Sequence, residues 1–173
     1  MALIALALMT ASLGAAVQAE EPWKRGLVQC YDANPERKTC RAIGAYRQIE
    51  DGSVINDATN MVSREPVVIF RASNPVYDHD GMSCSAIVRM EPYITGVEVD
   101  GRALEGESLE RAKTRIADNM ERSLGTSGEY CTREEPQPDG TVFNRVTING
   151  AERPQASGIV PWVDPAEGWR VAP

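Results

Sequence analysis

Residues 107–124 read ESLERAKTRIADNMERSL, and this stretch decides the fold class. Leu109, Ala112, Ile116, Ala117, Met120 and Leu124 recur at three- and four-residue steps, so a helical backbone gathers them into one apolar stripe. The spacing predicts an amphipathic helix that Gly125 stops. Glu105, Glu107 and Glu110 suit the positive end of its dipole, and Glu107/Arg111 and Asp118/Arg122 are acid-first pairs four residues apart on a solvated face. It is the one clear helix of the chain.

On either side of it the pattern changes from a helical period to short runs punctuated by turn residues. Residues 27–31 and 40–49 read as two strands joined across Asn34-Pro35. Asp51-Gly52 is a hairpin signal leading into a short strand at 53–55, and Pro66-Val67-Val68-Ile69-Phe70 is an apolar strand expected to end at Asn74-Pro75. Further strands are expected at 83–90, at 97–99 before Asp100-Gly101, at 129–133 and at 141–148. Asn149-Gly150 then turns the chain toward Glu152, and 159–163 is the last strand, with Pro161, Pro165 and Pro173 restricting pairing beyond it. The expected fold class is α+β: an antiparallel sheet of short strands, one amphipathic helix packed on a face, and two disulfides.

The four cysteines, Cys30, Cys40, Cys84 and Cys131, form an even set with no CxxC and no histidine at zinc spacing. Three pairings are possible, and the favoured one joins Cys30 to Cys40 across the turn-rich segment DANPERKT and Cys84 to Cys131. Loop entropy makes such bridges worth about 3 and about 4 kcal/mol.

Residues 2–19, ALIALALMTASLGAAVQA, are uncharged and end with Val17 and Ala19 at the spacing a signal peptidase reads. The expected organisation is a signal peptide at 1–19 and a single exported globular domain at 20–173, periplasmic or secreted, although no Lys or Arg precedes the apolar run. The competing reading is an uncleaved anchor, opposed by Thr10, Ser12, Gly14 and Gln18 within the run. An acylation box at Cys30 is excluded by bulky Gln29 and by Lys24 and Arg25 upstream. The net charge of −7 comes from interspersed acids and bases. Such a surface repels phosphates and anionic lipid, so neither nucleic acid nor stable membrane insertion after leader cleavage is expected.

Residues that carry chemistry are few. The only histidine, His79, lies in Asp78-His79-Asp80-Gly81, a typical polar turn. A metal or acid/base role there requires carboxylates brought in by folding, and no GxSxG elbow supplies a nucleophile. Residues 32–38 hold Asp32, Asn34, Glu36, Arg37 and Lys38 in a loop of the kind that plugs a partner's cleft. Glu134, Glu135 and Asp139 are carboxylates in a turn-rich region, and Trp162, Trp169, Tyr31, Tyr46 and Tyr93 are the aromatics suited to line a groove. Phosphate loops, dinucleotide glycine patterns, EF-hand loops and HExxH are absent, so the sequence implies no cofactor and assigns no catalytic or metal-binding residue. The expected function is that of a non-enzymatic exported protein that binds a protein or cell-envelope component through its sheet edge or its stapled loop. The alternatives are a small hydrolase using His79 with a nearby carboxylate, and an inhibitor of an extracellular enzyme acting through residues 32–38. The sequence fixes no oligomeric state.

Overall fold

Paired left-handed residues set the tight turns: Asp80/Gly81, Asp100/Gly101 and Asn149/Gly150 all have positive φ, the geometry that matches the twist of antiparallel hairpins. The computed structural model describes residues 21–139 and 141–173, so the expected leader at 1–19 lies outside the described residues. The strands are β1 (Val28–Tyr31), β2 (Thr39–Cys40), β3 (Ala42–Gln48), β4 (Val54–Arg64), β5 (Val67–His79), β6 (Met82–Ala86), β7 (Ile94–Val99) and β8 (Arg102–Ala103). The helix α1 (Gly106–Leu124) follows, then β9 (Glu129–Pro136), β10 (Val142–Ile148), β11 (Ala151–Glu152), β12 (Gly158–Ile159), β13 (Trp162–Val163) and β14 (Arg170–Val171). The fold is α+β, with an antiparallel sheet, one α-helix among the described residues and both expected disulfides. No helix of the described residues is long and apolar enough to cross a membrane.

Two strands are much longer than the sequence suggests. The expected strand at 53–55 extends to Arg64, and β5 runs through Asn74-Pro75 to His79. Pro75 is accommodated because β5 changes partner there. Its ladder with β7 ends at Ala72 and its ladder with β6 begins at Tyr77, so the intervening residues need no donor on that side. The expected last strand at 159–163 divides at Val160-Pro161 into β12 and β13. One pair is parallel rather than antiparallel: β14 lies beside β2, with Val171 opposite Cys40.

The sheet returns on itself. Its order runs β10-β9-β6-β5-β4-β3-β1-β13, while β12 pairs with β10 at the other end. Only Val160 and Pro161 separate β12 from β13. The backbone continues the pairing on both sides, with Val160 N–H donating to the Val142 carbonyl (3.1 Å) and Cys30 N–H to the Pro161 carbonyl (3.0 Å). Residues 158–163 therefore close a ring of antiparallel strands.

The helix covers part of this ring. Ile116 packs with Phe70, Ala72, Ile94 and Val97, and Leu109, Ala112 and Met120 extend the same stripe. Glu107 pairs with Arg111 as expected, but Asp118 pairs with Arg89 (3.2 Å) and Arg122 bonds Asn119 instead. Arg89 also holds Glu91 (2.8 Å) and Glu121 (3.1 Å), which fastens the helix to the segment before β7. A second apolar cluster, Val28, Cys30, Cys40 and Val163, lies on the outer face of the ring under Trp169.

Candidate functional site

The inner face of the ring follows from the period-two alternation of strands. Starting at Gln29, the register runs across Gly44, Ala58 and Ala72, and the next rung passes from Tyr46 to Asn56 and Asn74. On the far wall Ser83 faces Thr132, Ser85 faces Tyr130, and Glu134 faces Asn144, which faces Gly158. Trp162 opposite Gln29 completes the circle. This face is mixed: Gln29, Asn56, Asn74, Glu134 and Asn144 stand among small and apolar residues such as Gly44, Ala58, Ala72 and Trp162.

Two hollows occupy it. The first, of about 570 Å³, lies between Tyr31, Asn56, Asn74, Ser85 and Tyr130 and ends at Met120 and Leu124 of α1. The second, of about 500 Å³, lies between Trp23, Tyr46, Tyr77, Glu134 and Trp162. Tyr46, Val76, Ser83 and Thr132 wall both.

A hydrogen-bonded chain orients the groups between them. Tyr31 and Tyr46 hydroxyls donate to Gln29 Oε1 at 2.7 and 2.9 Å, and Gln29 Nε2 donates to Glu134 Oε1 at 2.9 Å. Trp162 Nε1 donates to the same carboxylate oxygen at 2.9 Å. The order is self-consistent: the Gln29 carbonyl meets two hydroxyls and its amide meets a carboxylate. Burial pushes the Tyr31, Tyr46 and Tyr130 phenols up, and the Glu134 charge adds to the effect at Tyr46, so all three stay protonated donors. Asn74 Nδ2 donates to Ser85 Oγ at 3.0 Å. The buried Asn56 Oδ1 and both amide atoms of Asn144 have no partner among the described residues. An unsatisfied buried amide costs about 1–3 kcal/mol, which marks these positions for attention. Gly44 lies against the same groups: a Cβ there would meet Asn56 Oδ1 at 3.4 Å and Gln29 Oε1 at 3.6 Å, ordinary contact distances.

The sequence-predicted residues divide between the two faces. Tyr31, Tyr46 and Trp162 reach the interior, whereas Trp169 packs outside against the first disulfide and Tyr93 walls neither hollow. Glu134 points inward and its neighbour Glu135 outward, where Arg145 holds it at 2.6 and 3.0 Å. Asp139 caps Thr141, so the three carboxylates share no site.

His79 sits on the outer face. Its Nδ1 lies 2.9 Å from Glu129 Oε2, and Tyr77 donates to the same oxygen at 3.3 Å. The hydrogen bond to Glu129, then the charges of Glu129 and Asp80, raise its pKa above 6.5. Cys84 and Cys131 bring their sulfurs within 4.8 Å of His79 and Glu129, but both are committed to the disulfide, leaving two ligands where zinc takes four. His79 walls neither hollow.

The loop at 32–38 is held from both ends. Asn34 exchanges backbone hydrogen bonds with Thr39 at 2.8 and 3.2 Å, and Lys38 Nζ reaches the Glu167 carbonyl and carboxylate at 3.1 and 3.2 Å. Gln29, Asn56 and Asn144 are the site residues that sequence reasoning missed. No period-two polar pattern marks them: Asn56 is followed by Asp57, and Asn144 shares its face of the strand with Val142 and Val146. No family model, curated protein or solved structure matches the chain.

Proposed function

We propose that this chain is an exported, non-enzymatic binding protein that takes a small polar ligand, free or displayed by an envelope component, into its ring. The observation that carries this reading is the interior itself: two adjoining hollows whose tyrosine, glutamine, tryptophan and carboxylate groups are fixed by one another, with the Asn56 carbonyl left open. Such preorganised polar groups around a concave space are what orient a small ligand. Export is supported by the apolar leader and by two buried disulfides, which persist in oxidising compartments.

Native mass spectrometry of the protein recovered from its own cells tests both parts. The expected species starts at Glu20, carries two disulfides and retains a small molecule that the cavity-filling Val76→Trp variant loses. A retained leader with free thiols overturns export. An oxidised chain without a ligand, together with turnover that vanishes in His79→Ala, overturns the binding reading in favour of a hydrolase.

A second reading takes support from the pinned loop. With the disulfide at one end and Lys38–Glu167 at the other, Pro35, Glu36 and Arg37 are presented on an ordered tip, as an inhibitory loop requires.

A further inference from the structure

The second hollow carries a more specific chemistry. Trp162 and Tyr46 stand with ring centroids 6.0 Å apart, tilted by 49°, so their faces form two walls of a corner, and Trp23 adds a third aromatic to the lining. Glu134 enters the same space. Its Oε1 is held by Gln29 and Trp162, and no Lys, Arg or His among the described residues forms an ion pair with it. Glu21 and Asp78 are further carboxylates on the lining. The one cation there among the described residues, Lys24, is already engaged: it lies 3.5 Å from Glu21 and 5.1 Å from the centroid of the Trp23 ring. An aromatic corner beside an uncompensated, fixed carboxylate favours a positive guest, because the ring faces and the carboxylate both present negative potential. The net charge of −7 draws cations toward the molecule in the first place.

We propose that the second hollow binds a small organic cation of the quaternary-ammonium class, with its alkylated nitrogen against Tyr46 and Trp162 and its charge balanced by Glu134. This rests on the reading of the ring as a ligand site and names the ligand chemistry. An alkylated ammonium suits the site better than a metal ion or a primary amine. It is weakly hydrated, offers an apolar surface to the rings and needs no ligand beyond the one carboxylate. Gln29 is a positioning residue: it ties the Tyr31 and Tyr46 hydroxyls to the carboxylate.

The test is calorimetric titration of the purified, disulfide-bonded protein with choline, with tetramethylammonium, and with 3,3-dimethylbutan-1-ol, the uncharged carbon isostere of choline. Both cations are expected to bind, choline about tenfold or more tightly than the isostere. Glu134→Gln, which keeps the acceptor for Trp162, is expected to weaken choline about tenfold and leave the isostere unchanged. Trp162→Leu is expected to weaken both cations, with circular dichroism verifying that each variant is folded. Equal affinity for choline and its isostere, or an unaltered affinity in Glu134→Gln, overturns the proposal, as does the absence of saturable binding by either cation. If cations fail while the protein still retains a neutral or anionic molecule that Val76→Trp loses, the ring remains a ligand site and only the cation assignment falls.

Discussion

At the scale of single residues, the chemistry is set by what faces each side of a strand. Glu134 and Glu135 are neighbours in sequence, yet one closes a hydrogen-bonded chain inside the ring and the other pairs with Arg145 outside. His79 was legible as the sharpest titratable group, but its partner was not, since Glu129 is brought to it by the register of β6 on β9. Because that partner raises the His79 pKa, the pair contributes stability that is fully present below 6.5 and fades as the pH rises through the higher folded value. NMR titration of the ring protons is expected to give a midpoint above 6.5, and Glu129→Gln is expected to move it back down. A midpoint unaffected by that substitution would mean the two groups do not meet in solution. Gln29 and Asn56 were illegible because a polar residue on a strand reads as solvent-facing until the closure of the sheet is known.

At the scale of elements, the helix and the hairpin turns were legible and the longest strands were not. Nineteen residues from Gly106 to Leu124 form α1, one residue longer than the periodic stripe suggests. Its end is fixed by Gly125, whose φ of 94° and ψ of −176° form a conformation open essentially to glycine alone. Gly125→Ala is therefore expected to destabilise the protein by about 1–3 kcal/mol in urea unfolding, with no change in disulfide content. A neutral result would show that the chain relaxes to another cap. In contrast, β4 contains Asn56, Asp57 and Asn60, residues depleted in strands, and β5 contains Asn74-Pro75. Local preference opposed both strands, and their pairing with each other along nearly their whole length overrides it.

At the scale of the whole molecule, the class of fold was legible from composition, turns and one helical period, whereas the ring was not. Closure depends on a six-residue stretch, 158–163, that serves two partners from opposite ends of the sequence. No periodicity announces such a contact. Val160 in this stretch is buried at 6% exposure, while its neighbour Ile159 is 49% exposed. Val160→Asp would bury an unpaired carboxylate and is expected to cost about 3 kcal/mol or more, while Ile159→Asp is expected to cost much less. Equal effects in thermal unfolding would count against the closed arrangement.

The position of the closing stretch also imposes an order in time. Val28 cannot meet its partner Val163 until the chain has been made through residue 163, and until then the free edge of β1 is an open template for another strand. Early pairing of β3, β4 and β5 through adjacent hairpins can proceed without that edge, but the interior becomes enclosed only when residues 158–163 arrive. Newly made chains at high concentration would thus be most prone to join edge to edge in the interval before the final stretch docks, so a holding chaperone that shields that edge would raise yield without altering the stability of the finished protein.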